Sequence, residues 1–128
     1  MEYYFSKTLE TSFDEAVQKT TEALKKEGFG VISEINIHEK LKEKLNVDFR
    51  RYRILGACNP PYAYKALQAE DKVGTMLPCN VIVQEFAVDR IEISAVNPIA
   101  SMMAIKNPDL AGIAQEITAK LQAVIKSL

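Results

Sequence analysis

The chain has no tryptophan, one histidine and two cysteines among its 128 residues. Two cysteines cannot make a disulfide framework, so a reduced, cytoplasmic setting is the expectation. Cys58, Cys79 and His38 together supply at most three ligands, whereas a closed tetrahedral zinc site takes about four. Charge of one sign is also missing. The formal net charge is -1, and nothing global draws the chain toward nucleic acid or an anionic membrane. No apolar run is long enough to span a bilayer. The opening Met1-Glu2-Tyr3-Tyr4-Phe5-Ser6-Lys7 has no basic segment followed by an apolar one, so no signal peptide is expected. There is no internal repeat, low-complexity tract or linker. A single domain over residues 1–128 is the simplest organisation.

What is present reads as alternating strands and helices. Tyr3-Phe5-Lys7-Leu9 alternates with Tyr4-Ser6-Thr8-Glu10, predicting a strand with Tyr3, Phe5 and Leu9 inward. Ser12-Phe13-Asp14-Glu15 has the form of a capping box and opens a helix whose apolar face runs from Phe13 to Leu24. Gly28 is its natural left-handed stop. Phe29, Val31, Ser33 and Ile35 form the expected inner row of a second strand, and Asn36 precedes a short basic helix striped by Ile37, Leu41 and Leu45. In the third strand Tyr52, Ile54, Gly56 and Cys58 share one face, opposite Arg51, Arg53, Leu55 and Ala57. The expectation is that the Cys58 row faces the core. Pro60-Pro61 follows; because a proline disfavours helical geometry in the residue before it, Pro61 is the expected first helical residue. A fourth strand places Cys79, Val81 and Val83 on one face, and a hairpin loop at Ala87-Val88-Asp89 leads to a fifth with Ile91, Ile93 and Ala95 inward. Asn97-Pro98 and Asn107-Pro108 each pair an N-cap with a proline at the first helical position. The first predicts a short helix over Ile99–Ile105. The second opens a long helix with an apolar stripe at Leu110, Ile113, Ala114, Ile117, Leu121, Val124, Ile125 and Leu128. Long one-striped helices on one face of a mostly antiparallel sheet give a two-layer α+β domain with short extra helices.

Two segments, Arg53-Ile54-Leu55-Gly56-Ala57-Cys58-Asn59-Pro60-Pro61 and Met76-Leu77-Pro78-Cys79-Asn80-Val81, resemble the bacterial family called domain of unknown function 302. Gly28-Phe29-Gly30-Val31, Leu41-Lys42-Glu43-Lys44-Leu45 and Val47-Asp48-Phe49 extend the resemblance over essentially the whole chain. The resemblance implies a fold similar to half of a TATA-box-binding protein, with β-α-β4-α order, and a homodimer. It implies no assigned activity.

The candidate binding residues are Cys58, Asn59, Pro60, Pro61, Pro78, Cys79, Asn80 and Arg53, at the junctions where strands three and four meet the intervening helix. The expected function is non-catalytic binding of a small ligand or protein partner there. A thiol pair, Cys58 and Cys79, is the alternative, serving redox chemistry or a soft metal; against it, free cysteine is a common small core residue. The two sulfurs are expected to be buried neighbours in the core. Pro60 and Pro61 remove two of the N–H donors that make a helix start useful to an anion or a thiolate. His38 has no partner at a recognisable spacing and reads as a solvated surface residue. Arg50, Arg51 and Arg53 with Tyr52 offer an anion or single-stranded nucleic-acid surface; Glu39, Glu43 and Asp48 partly cancel it, and nucleic acid is not the favoured partner. Met102 and Met103, with Ile99 and Ile105, line either a pocket or the core. No catalytic constellation, cofactor motif or metal set is present, and neither a cofactor nor a membrane partner is expected. On the sheet's second face Tyr4, Leu55, Ala57, Ile82 and Phe86 are too apolar for open water, which points to a symmetric dimer.

Overall fold

Period-two alternation forms five strands, and a computed structural model that describes residues 1–128 joins them in one antiparallel sheet. The elements run β1 (Tyr4–Leu9), α1 (Phe13–Lys26), β2 (Gly30–Asn36), α2 (Ile37–Leu45), β3 (Tyr52–Cys58), α3 (Pro60–Ala69), β4 (Cys79–Ala87), β5 (Arg90–Val96), α4 (Pro98–Ser101) and α5 (Pro108–Ser127). A 3-10 turn over Asp71–Met76 joins α3 to β4. The strand order is β1-β5-β4-β3-β2. The long helices α1 and α5 cover one face, giving the two-layer α+β architecture.

Local chemistry accounts for most element ends. Ser12 Oγ accepts the Glu15 N–H at 3.2 Å. The Glu15 carboxylate does not close the box; it accepts from Thr11 Oγ1 at 2.6 Å. Gly28, at φ +88, stops α1. Asn97 Oδ1 accepts the Ile99 N–H and Asn107 Oδ1 the Asp109 N–H, at 3.1 and 3.0 Å, so both Asn-Pro pairs cap as expected. The first nevertheless starts a shorter helix than expected, ending at Ser101. At α3 the structure places Pro60, not Pro61, first. Asn59 stays extended, at ψ 96, which satisfies the restriction one residue earlier.

The core lies between the sheet and α1 with α5. Phe13, Leu24, Val81, Val83, Ile91, Ile93 and Leu121 are all buried there. The α5 stripe is seated as read, except that Ile113 and Leu128 are half-buried and Thr118 is buried. Three strand rows differ from expectation. Tyr3 lies beyond the β1–β5 ladder and is 71% exposed, while Phe5 and Leu9 pack inward. In β2 a register shift between Val31 and Ser33 turns the row over. Phe29 and Val31 pack on the core, whereas Ser33 and Ile35 pair with Gly56 and Ile54 on the uncovered face. In β3 the inward row is Leu55 and Ala57, at 0% and 1% exposure. Both rows of β3 are apolar, so composition does not choose between them. The register does: Leu55 and Ala57 sit opposite Val81 and Cys79, in the row already committed to the core. The uncovered face consequently carries Tyr4, Tyr52, Ile54, Ile82, Gln84, Glu92 and Ser94, without Leu55 or Ala57.

Gly56 permits a close approach on that face. A Cβ there would lie 2.7 Å from Pro78 Cγ and 2.2 Å from Ser33 Oγ. The bulged β2 and the start of β4 therefore close over β3 at a residue without a side chain.

Candidate functional site

Where β3 ends and β4 begins, the sheet, α3, the 3-10 turn and α5 leave a cavity of about 330 Å3 between them. The antiparallel β3–β4 pairing sets the place, because it brings the end of one strand beside the start of the next; Ala57 is opposite Cys79. The sheet end supplies Ala57, Cys58, Pro78 and Cys79, and α3 supplies Tyr62, Ala63, Ala66 and Leu67. From α5 come Ile113, Ala114 and Ile117. No charged side chain lines the cavity, and fourteen of its eighteen lining residues are hydrophobic. The small residues make the space: Ala63 and Ala66 lie three apart on α3 and Ala114 faces them from α5.

Four of the eight expected site residues meet here: Cys58, Asn59, Pro78 and Cys79. Pro60 and Pro61 are exposed at the start of α3 and do not line the cavity. Asn80 is exposed and borders a depression on the uncovered sheet face. Arg53 is engaged elsewhere, with Nε donating to Asn36 Oδ1 at 2.7 Å and its guanidinium 5.3 Å from the Phe13 ring centroid. Asn59 is buried, and its Nδ2 donates to the Glu27 carbonyl at 3.1 Å, tying α3 to the end of α1. The lining residues missed in the sequence include Ala63, Ala66, Leu77, Ile113 and Ala114. Spaced alanines on an otherwise unremarkable helix were the one available signal.

The two thiols are in different environments. Cys79 is buried at 8% exposure, whereas Cys58, whose strand row turns away from the core, is half-buried. Both are unbridged. Burial, and to a lesser degree the neighbouring Cys58, pushes the Cys79 thiol up to about 11. A buried thiol held protonated is a poor nucleophile and an unprepared metal ligand. The raised value has a consequence for stability. The unfolded thiol ionises around its ordinary value of 9.0, while the folded one stays protonated to about 11. The contribution of Cys79 is therefore complete below pH 9 and lost as pH rises toward 11. The two-unit gap amounts to roughly 2–3 kcal/mol. Urea denaturation between pH 8 and 11 should show this loss in the native chain and a flatter profile in Cys79→Ala. The same slope in both would mean that Cys79 is not the group responsible. In native protein Cys58 should label well ahead of Cys79.

Beside the cavity, the Tyr62 ring packs on the core while its hydroxyl reaches solvent. Hydrogen bonding to Glu116 pushes its ionisation to higher pH, with burial and the carboxylate charge adding to the effect. Lys65 and Lys120 Nζ lie 5.6 and 5.8 Å from the ring centroid.

The other candidates do not converge on a site. Arg50 leans onto the uncovered face, where Nε donates to Gln84 Oε1 at 3.0 Å and the guanidinium stacks on Phe49 and Phe86 at 4.4 and 4.9 Å. Arg51 lies 4.1 Å from the Phe13 centroid and pairs with Asp14 at 3.3 Å. Arg51 and Arg53 thus share the Phe13 ring, while Arg50 stands on the uncovered face. His38 is half-buried, not solvated, because its Nδ1 accepts the Tyr52 N–H at 3.0 Å and so ties α2 to β3. No cluster of three or more His, Cys, Asp or Glu side chains is placed to hold a metal ion. No helix is long and apolar enough to cross a membrane.

Residues 5–128 match the family described as domain of unknown function DUF302. The chain belongs to the DUF302 family. A crystal structure of an uncharacterized conserved protein DUF302 from Bacillus stearothermophilus superposes with a TM-score of 0.89 at 31% identity, covering 98% of each chain. No curated protein matches. For this DUF302 chain the resemblance read from the paired Cys-Asn motifs therefore holds, and so does the two-layer fold it implied.

Proposed function

We propose that this DUF302 domain is a non-catalytic binding protein for a small, uncharged, largely apolar molecule, held in the cavity between α3, α5 and the β3–β4 sheet end. The observation that carries the reading is the lining itself. A space of about 330 Å3 without a charged wall residue falls in the size range of ligand pockets, roughly 300–1,000 Å3. Burying apolar surface there supplies the affinity, at about 25 cal/mol per Å2 removed from water. Cys58, Asn59, Tyr62 and Cys79 are the wall residues whose side chains carry a polar atom. The neutral fluorophore N-phenyl-1-naphthylamine is a suitable probe. It should bind with enhanced emission, and Ala63→Phe, which fills the cavity from a half-buried position on α3, should weaken binding at least tenfold without loss of helical signal. Equal binding by the filled variant would place the probe elsewhere and overturn the reading.

A homodimer through the uncovered sheet face is a second proposal. It is supported by Tyr4, Ile54, Ile82 and Phe86, which stand uncovered on that face, with Tyr4 and Phe86 38% and 53% exposed. Sedimentation at micromolar concentration should give twice the chain mass. A species of one chain's mass would remove the proposal and leave the face to solvent, as many antiparallel sheets leave theirs.

A further inference from the structure

Met102 and Ala114 each border two spaces. On one side is the main cavity; on the other is a groove of about 230 Å3 lined by Ile99, Met103, Ile105, Leu110 and Ala111, with Asn107 and Gln115 as its polar members. The groove has no charged lining residue either. The walls of both spaces follow α5, from Ile117 in the cavity to Leu110 in the groove. Seven residues of helix are roughly 10 Å of axis, so the two neighbouring spaces together follow about two turns of α5.

We propose that the site takes a straight-chain aliphatic molecule with an uncharged polar end, lying along α5 and passing from the cavity under Met102 into the groove. The proposal rests on the apolar-binding reading above and names its ligand class. At the junction Ala114 presents only a methyl group, and Met102 is half-buried on an unbranched, flexible side chain that can move aside without breaking a hydrogen bond. Asn107 is committed to the fold. Its Nδ2 donates to the Ala69 carbonyl at 2.8 Å and to Glu70 Oε1 at 3.4 Å, and its Oδ1 accepts the Asp109 N–H. The exposed Gln115 amide is left to meet the polar end. A carboxylate end would find no cation in either lining, whereas a hydroxyl finds an amide. A compact ring system would occupy the larger space alone and gain nothing from the second.

The test uses the full chain and straight-chain 1-alkanols from hexanol to dodecanol, displacing N-phenyl-1-naphthylamine. Each added methylene should tighten binding about fourfold, with the gain continuing to dodecanol. Met102→Trp, which plugs the junction, should flatten the chain-length dependence, cutting the native ratio of dodecanol to hexanol affinity at least tenfold. A plateau at the same short length in both proteins would overturn the straight-chain proposal and leave apolar binding intact. Absence of fluorophore binding to the native chain would instead remove the underlying reading, and this proposal with it. If circular dichroism shows that Met102→Trp is unfolded, the native chain decides alone: 1-dodecanol should bind at least tenfold tighter than cyclododecanol. Equal affinity for the two would overturn the proposal.

Discussion

Phe13→Ala should lower the free energy of unfolding by about 3–5 kcal/mol, the range for truncating a buried aromatic side chain. Phe13 is the first residue of α1 and is 1% exposed. Its ring anchors the start of that helix in the core, and the guanidinium groups of Arg51 and Arg53 lie over it at 4.1 and 5.3 Å from the centroid. Truncation opens a void and leaves both arginines without their platform. The Arg51–Asp14 ion pair cannot compensate, because both partners are well exposed, at 42% and 82%, and such pairs contribute about 0–1 kcal/mol. Phe13→Leu separates the terms. It keeps most of the volume and loses only the ring, so its cost should fall to roughly 0.5–2 kcal/mol. Guanidinium denaturation measures both. A Phe13→Ala cost within about 0.5 kcal/mol, the scatter of surface substitutions, would mean that the ring is not buried.

Leu121→Ala and Ile117→Ala, one turn apart on α5, should differ. Both belong to the core cluster, but Leu121 is fully buried within it, whereas Ile117 also lines the cavity. Truncating a buried aliphatic side chain costs about 2–5 kcal/mol and rises with the size of the void left behind. Leu121 has neighbours on every side and belongs at the upper end. Ile117 already faces empty space, so it has fewer contacts to lose and belongs at the lower end. Ile117→Ala should in addition enlarge the cavity and admit bulkier apolar probes, which Leu121→Ala should not. Equal costs for the two would mean that the cavity is closed in solution.

A good part of this was readable in the residues, because it depends on neighbours a few positions apart. Ser12, Asn97 and Asn107 cap helices through their own next turn. The α5 stripe repeats at helical spacing whatever it packs against. Ile91 and Ile93 alternate with Arg90, Glu92 and Ser94, so only one face of β5 could go inward. The antiparallel placement of Cys58 beside the start of β4 followed from a helical excursion between strands that meet at one end.

Other features needed the assembled sheet. The face of β3 is ambiguous in its residues, since Ile54 and Leu55 are equally apolar; pairing of Leu55 with Val81 decides it. Both thiols line the cavity, but Cys79 lies in the row that turns in and is buried, while Cys58, in the other row, is half-buried. The β2 bulge moves Ile35 to the uncovered face by one extra residue, and no periodicity within the strand announces it. The cavity is least visible of all. It is an absence of atoms where Ala63, Ala66 and Ala114, distant in the chain, face one another across α3 and α5. Helix and strand periods are short-range properties that a linear sequence records directly. Register and empty volume are sums over residues that only the folded chain brings together.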